Sequence, residues 1–343
     1  MISFKKKISN ILLDVNSTLN DVIRVMNKTG LKIVVVTKAN KKFLGTIVDG
    51  DIRRSLIKGV HLENKITKVY NAKPIVTKKN LSNSEANAIM TENYLNHLPV
   101  IDKNNKFIGL HILNENLNLI KKKNLFVIMA GGKGKRLLPN TSRTPKPLIK
   151  VFGKPMLEHI ILNAKKNGFK EFVISVNYLK HKIKKYFKDG SKLKLNIDYI
   201  EEKKPLGTAG SLSLLKNYKR QHVVVSNCDV ISNLNYGDVL DYHIKNRSDA
   251  TMVVRRFEKR NLYGVIKTNG NIFLDYEEKP LTLENINTGI YVFNSKVFKY
   301  LKRNLAMDMT KFFLTLKKKN KKVLIFPIYE NWSDHGQRDA TNL

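Results

Sequence analysis

The sequence predicts an α/β protein: a mixed, mostly parallel sheet covered by helices, preceded by a smaller α/β unit built from two repeats. Three observations predict it. The chain has 343 residues, more than one ordinary core holds. Its first third contains an internal duplication. Beyond about residue 120, apolar runs of strand character alternate with amphipathic helical stretches, the pattern of a parallel sheet with helices on its faces.

The duplication is read from Lys42-Phe43-Leu44-Gly45, which recurs as Lys106-Phe107-Ile108-Gly109, with the preceding segments aligning without a gap. Val35-Val36 falls opposite Pro99-Val100, and Met26 opposite Met90. Each copy reads as an amphipathic helix (Leu19, Val22, Ile23, Met26; then Ala86, Ile89, Met90), a β-rich run, a polar turn and a second strand. The copies are placed at about 1–60 and 61–119, and residues 120–343 form the second domain. Polar residues from Asn114 to Asn124 read as the linker.

In the second domain Leu125–Ala130 is a continuous apolar strand, and Met156–Asn167 a helix that Gly168 terminates. Strands at Phe172–Val176, Ile197–Glu201 and Val223–Ser226 follow, with a helix at Leu179–Phe187 between the first two. Ligands of such sheets sit at the carboxyl ends of the strands.

Composition narrows the function. A hydrophobic fraction of 42% and a charged fraction of 27% are those of a water-soluble globular chain. No apolar run approaches the ~20 residues that span a bilayer, and the basic start Met1–Lys7 leads into no signal-peptide core, so a cytosolic location is expected. Cys228 is the single cysteine, which excludes an intrachain disulfide and a cysteine-based metal site; between an apolar strand and Asp229 it reads as a packed thiol. The net charge of +35 is mostly scattered lysine, without aromatic residues interleaved to stack bases. That argues against a nucleic-acid surface, while the field would help collect phosphorylated substrates.

The chemistry concentrates in Ala130-Gly131-Gly132-Lys133-Gly134-Lys135-Arg136-Leu137-Leu138-Pro139, running on to Thr141 and Pro145-Lys146-Pro147-Leu148. Glycines after a strand let backbone N–H groups approach a polyphosphate. No Gly-Lys-Ser/Thr ends the loop, so it is not a Walker A motif, nor is it the spaced dinucleotide fingerprint. Arg136 can fork onto phosphate oxygens, and Lys146, between two prolines, is a point charge suited to a transferring phosphoryl group. Asp229, after the strand Val223-Val224-Val225, and Asp334 are two carboxylates of the kind that hold Mg²⁺ together with substrate phosphates.

That loop resembles the signature of sugar-phosphate nucleotidyltransferases, with the family's Rossmann-like sheet, and the likeness continues in order to the C-terminus. Leu206-Gly207-Thr208-Ala209-Gly210 resembles the segment that receives base and ribose, and Asn227-Cys228-Asp229 the metal-binding strand end. Tyr263-Gly264-Val265-Ile266, Glu277-Glu278-Lys279-Pro280 and Asn287-Thr288-Gly289 resemble sugar-binding elements, so the resemblance assigns Gly264, Glu278, Lys279 and Asn287 to the sugar phosphate. Trp332-Ser333-Asp334-His335-Gly336 resembles the final motif, whose Asp is the second metal ligand. The departures are Lys135, Asn140 and His335, none of which removes a charge the mechanism needs; the His reads as a satisfied hydrogen-bonding residue. No acyltransferase half is expected after Asp334.

The repeats resemble CBS modules, pairs of which often bind adenosine nucleotides. That family's Gly, Ser/Thr and Asp positions are here Gly45, Val48 and Asp51 in the first copy and Gly109, Ile112 and Glu115 in the second. The resemblance thus leaves one candidate ligand residue, Asp51, and a module expected chiefly to drive homo-oligomerisation.

Together the likenesses imply NTP plus sugar 1-phosphate giving NDP-sugar plus pyrophosphate, with Mg²⁺ as cofactor and Gly131, Gly132, Gly134, Gly207 and Thr208 around the nucleotide. Upstream of Gly207, uridylyl- and thymidylyltransferases commonly carry Gln, where this chain has Glu201 and Glu202. A carboxylate accepts the paired N1–H and N2 donors of guanine, so GTP is the expected donor and Glu202 its reader. CBS repeats ahead of such a domain resemble a bacterial subgroup that includes glucosamine-1-phosphate guanylyltransferases of legionaminic acid synthesis. The alternatives are mannose- or heptose-1-phosphate guanylyltransfer, glucose-1-phosphate thymidylyltransfer, and a non-enzymatic CBS nucleotide sensor.

Overall fold

The computed structural model describes residues 9–38, 41–78, 81–113, 122–139, 141–217 and 221–336. Asn140 and Glu115 lie outside the described residues, as do residues 114–121 of the expected linker. The chain divides into two compact units, Met1–Asn118 and Leu119–Leu343.

The first unit carries strands β1 (Leu12–Asp14), β2 (Ile33–Lys38), β3 (Lys42–Val48), β4 (His97–Ile101) and β5 (Phe107–Ile112). Its helices are α1 (Leu19–Thr29), α2 (Asp49–Ile57) and α3 (Asn83–Glu92). Helix α1 starts where the Thr18 hydroxyl accepts the Asp21 N–H and the Asp21 carboxylate accepts the Thr18 N–H, and it ends at left-handed Gly30. Ser82 and Glu85 start α3 in the same way. The duplication is visible in register: Val36 faces Gly45 and Val100 faces Gly109, with the ladder shifting at the next residue in both copies. Ile11, Val35 and Phe43 of the first copy share a core with Ile101 and Phe107 of the second.

The second unit continues with β6 (Lys122–Ala130), β7 (Lys150–Val151), β8 (Lys154–Pro155), α4 (Met156–Lys166), β9 (Phe169–Val176), α5 (Lys180–Phe187), β10 (Asn196–Glu201), α6 (Gly207–Gly210) and β11 (His222–Asn227). Then come β12 (Val230–Ser232), α7 (Tyr236–Lys245), β13 (Ala250–Arg260), β14 (Val265–Asn269), β15 (Ile272–Glu277), β16 (Leu281–Asn294), α8 (Met309–Lys318), β17 (Val323–Ile328) and β18 (Trp332–Asp334). The main sheet has the order β10-β9-β6-β11-β16-β13-β17. β10, β9, β6 and β11 are mutually parallel, β16 runs antiparallel to both its neighbours, and β17 is parallel to β13. The mixed, mostly parallel α/β sheet is the one expected.

Strand β6 explains its own composition. Phe126, Ile128 and Ala130 join one core with Leu157, Ile160 and Ile161 of α4. Leu125, Val127 and Met129 join another with Phe312, Phe313 and Leu316 of α8. A strand buried on both faces must be apolar at every position. The expected linker runs too far at its end, because Lys122–Asn124 already belong to β6. Their polarity misled the reading: Lys122 Nζ pairs with Asp241 at 2.6 Å, and the Asn124 side-chain amide donates to the His222 carbonyl at 3.2 Å.

Candidate active site

At the carboxyl ends of β6 and β11 lies a cavity of about 270 Å³, lined among others by Gly131, Gly132, Gly134, Glu202, Gly207 and Thr208. Lys146, Asn227, Cys228 and Asp229 also line it. Most of the residues assigned to the nucleotide are therefore brought together.

The glycine loop is held by its neighbours. The buried Thr141 hydroxyl donates to the Gly134 carbonyl at 3.0 Å, and the Tyr178 hydroxyl lies within hydrogen-bond reach of the Thr141 and Ser142 carbonyls, at 3.2 and 3.0 Å. Gly131 is required by a close approach: a Cβ there would lie 2.6 Å from Glu202 Oε1. That glutamate is 6% exposed. Its Oε1 accepts the Ser175 hydroxyl at 2.7 Å and its Oε2 the Leu206 N–H at 2.9 Å. The two glutamates thus part ways. Glu201 faces solvent between Lys180 and Lys184, at 2.7 and 2.6 Å, and hydrogen bonds from both hold its carboxyl down at about 2. Glu202 is a fixed buried carboxylate on the cavity wall.

Helix α6 backs onto the segment before α8. Met307 N–H donates to Leu206 O, Ala209 N–H to Met307 O, and Met309 N–H to the Thr208 hydroxyl at 2.7 Å. The Thr208 hydroxyl, assigned to the nucleotide, therefore also caps α8.

Three charged groups meet at the cavity's edge. β12 pairs antiparallel with β18, setting Val230 opposite Asp334 and so bringing Asp334 beside Asp229. Lys146 Nζ donates to Asp229 Oδ2. At Gly336 a Cβ would lie 2.8 Å from Asp229 Oδ2, 2.8 Å from Asp334 Oδ1 and 3.0 Å from Lys146 Nζ, so a side chain there would displace all three charged groups. Burial opposes the charge on Lys146, but Asp229 and Asp334 outweigh it and hold the ammonium above the ordinary lysine range. The ammonium occupies the place of a cation between two hard carboxylates. Among the described residues no cluster of three or more His, Cys, Asp or Glu could hold a metal. Two carboxylates at an open cavity fit Mg²⁺, which completes its shell with water and substrate phosphates.

His335 is a satisfied core residue: its backbone N–H donates to Asp229 O at 2.9 Å and its Nε2 sits 2.8 Å from Ser333 Oγ. Cys228 is buried, and burial, with Asp229 adding to it, pushes its thiol up to about 12, the packed cysteine expected.

Other assigned residues lie elsewhere. Arg136 is exposed on a short 3-10 turn, Lys135–Leu137, and is not on the cavity wall. Gly264, Glu278 and Lys279 flank the exposed β14–β15 ribbon, where Glu278 accepts from the Tyr276 hydroxyl and lies 3.8 Å from Lys279 Nζ. Asn287 is engaged within β16, donating to the Tyr291 hydroxyl at 2.9 Å and accepting the Gly289 N–H at 3.0 Å. In the first unit the Asp51 carboxylate accepts the Val48 N–H at 2.9 Å and pairs with Arg54 at 2.6 Å, both helix-start duties. Sequence reasoning does not assign Asn227 as a ligand residue, yet among the described residues its buried Oδ1 has no hydrogen-bond partner, and its residue lines the cavity. Only its place two before Asp229 could have flagged it.

Residues 125–341 match the family model described as nucleotidyl transferase, and residues 8–58 and 66–110 match the CBS domain model. A mannose-1-phosphate guanylyltransferase of Mycobacterium tuberculosis is 34% identical over 176 residues, 50% of this chain and 49% of that protein. A mannose-1-phosphate guanyltransferase of Gibberella zeae is 30% identical over 220 residues, 62% of this chain and 60% of its own. The chain thus spans about half the length of the first curated relatives it matches. HddC from Yersinia pseudotuberculosis, solved complexed with GMP-PN, shares the fold at a TM-score of 0.51 and 22% identity, over 64% of this chain and 96% of that one.

Proposed function

We propose, from the premise that the chain belongs to the nucleotidyl transferase family, that it joins GTP and a hexose 1-phosphate into a GDP-sugar, releasing pyrophosphate. The observation that carries this reading is the convergence of Lys146, Asp229 and Asp334 beside a glycine-walled cavity.

In the proposed reaction a phosphate oxygen of the sugar phosphate attacks the α-phosphorus in line and displaces pyrophosphate, so no protein nucleophile is needed. The buried, protonated Cys228 thiol is suited to none. Backbone N–H groups of Gly131, Gly132 and Gly134 receive the triphosphate, and exposed Arg136 meets its outer oxygens. Lys146, kept charged by its carboxylate neighbours, stabilises charge developing on the transferring group. Asp229 and Asp334 would hold Mg²⁺, which supplies further neutralisation of phosphate charge when bound. Gly207 and Thr208 take the base and ribose side. Glu202 reads guanine: each carboxylate oxygen holds one protein donor and keeps a lone pair for N1–H or the N2 amine. Gly264, Glu278, Lys279 and Asn287 receive the sugar phosphate.

The names of the relatives favour mannose 1-phosphate as acceptor. The CBS match ahead of the transferase favours a second reading, glucosamine 1-phosphate feeding nonulosonic acid synthesis. Among the described residues no helix is long and apolar enough to cross a membrane.

A matrix of GTP, UTP, dTTP and ATP against mannose, glucosamine, glucose and heptose 1-phosphates, read by pyrophosphate release, tests this. GTP should lead in kcat/KM by about tenfold or more, and Glu202→Gln should shrink that lead. A lead for UTP or dTTP, or an unchanged GTP lead in the variant, overturns the guanine assignment. No turnover of any pair overturns the enzyme reading.

A further inference from the structure

Strand β9 carries one polar side chain in an apolar run. Phe172, Val173, Ile174 and Val176 are buried core residues, and Ser175 among them is 0% exposed. It pairs in register with Met129 of β6 and Ile200 of β10, which share the α8-side core with Val173. A hydroxyl buried there is unfavourable unless it is hydrogen-bonded. Its partner is no core group: the Ser175 hydroxyl donates to Oε1 of Glu202, on the cavity wall, at 2.7 Å.

The rest of Glu202 is held as well. Its backbone N–H donates to the Val176 carbonyl at 2.9 Å, and its own carbonyl accepts the Asn177 side-chain amide at 2.7 Å. Oε2 accepts the Leu206 N–H at 2.9 Å. These backbone bonds fix where the carboxylate stands, but not the way it faces. The last torsion of a glutamate is broad and two-fold, so the Leu206 N–H alone would leave the carboxylate free to turn about Oε2. The Ser175 hydroxyl supplies a second fixed point, and two fixed points set the plane.

A paired contact needs that plane. Guanine presents N1–H and the N2 amine side by side, and both carboxylate oxygens must turn an unused lone pair to the cavity together to accept them.

We propose that Ser175 is a positioning residue for donor choice: it does not itself line the cavity, and it holds the Glu202 carboxylate in the plane that takes guanine on both oxygens. This inference rests on the reading of Glu202 as the guanine contact. Base binding is the same in ground and transition states, so its loss falls on KM. In the full-length chain Ser175→Ala should raise KM for GTP about tenfold, the scale of one hydrogen bond to a charged group. The kcat with GTP, and KM for UTP and dTTP, should stay within about twofold of the native values. Ser175→Cys fills the same place but donates only weakly; it should move the same way, and it tests the proposal where the Ala variant fails to fold. In a Glu202→Gln background, Ser175→Ala should change the ratio of GTP to UTP kcat/KM by less than about twofold, as a group acting through Glu202 must. A GTP lead kept by folded Ser175 variants but removed by Glu202→Gln overturns the positioning role and leaves the guanine assignment standing. An equal rise in KM for every nucleotide, the mark of a merely structural defect, overturns it too. A lead that survives Glu202→Gln overturns the guanine assignment and this inference together.

Discussion

Strand β16 lies in two environments, and the contrast between them separates the two halves of the proposed reaction. From Thr288 to Phe293 every residue is buried, between β11 and β13. From Leu281 to Asn287 the same strand is half-buried or exposed, paired only with the outer end of β13. The buried half belongs to the sheet that aims Asn227 and Asp229 into the cavity. The exposed half belongs to the arm that carries Glu278 and Lys279. The groups assigned to the nucleotide, exposed Arg136 apart, are thus held by core packing, the pre-organisation that the proposed phosphoryl transfer would demand. Groups assigned to the sugar sit on a ribbon whose side chains can change without disturbing the core. On the proposed reading, the chemistry is built into the fold and the choice of sugar is hung upon it.

The sharpest way to break that comparison is at the buried end. Lys146→Ala and Asp229→Asn should each lower turnover at least ~100-fold, the scale of losing one transition-state charge contact. Pyrophosphate release at saturating GTP and sugar phosphate is the measurement. Near-normal rates in either folded variant would remove the cavity from the mechanism, however well it is built.

Legibility follows the same division. The sheet could be read because double burial leaves a compositional trace, as in Leu125–Ala130, and because the helix Met156–Lys166 keeps its apolar period. The phosphate loop and the pair Asp229 and Asp334 could be read because they sit in contiguous motifs. Glu202 could be placed by spacing from Gly207, but its contacts with Ser175 and Leu206 could not, since those join β9, β10 and α6 through the fold. Asn227 was missed because an orphaned oxygen is a property of packing. The exposure of β14 and β15 could not be read from the sequence, because a strand's apolar residues do not tell whether anything covers them. Arg136 was placed by motif, and the 3-10 turn that exposes it has no strong local signal.

A smaller effect sharpens the comparison at the arm. Lys279 and Glu278 are 59% and 58% exposed, so Lys279→Ala should change stability by no more than about 0.5 kcal/mol. It should still raise KM for the sugar 1-phosphate by roughly tenfold, the usual cost of one charged contact to a ligand, with KM for GTP unchanged. A rise in the GTP KM instead would put Lys279 on the nucleotide and erase the division of labour argued above.

The smallest effect concerns the duplicated unit, where the same question of built versus available groups recurs. Asp51 is the one CBS position that resembles a ribose-binding carboxylate, yet its oxygens already accept the Val48 N–H and the Arg54 guanidinium at the start of α2. Val48 stands at the N-cap, where a Ser or Thr could have accepted a helix N–H in return, and it has no oxygen to do so. The Asp51 carboxylate is therefore already engaged at the helix start, and a ribose would compete for it. Asp51→Ala should lower stability by about 1 kcal/mol, as loss of a cap does, with pyrophosphate release unchanged. Calorimetric titration of the native chain with AMP or ATP should show at most one weak site per chain, lost in the variant. Two tight sites per chain, or one that survives Asp51→Ala, would show that the repeats bind nucleotide through groups other than the one the motif points to.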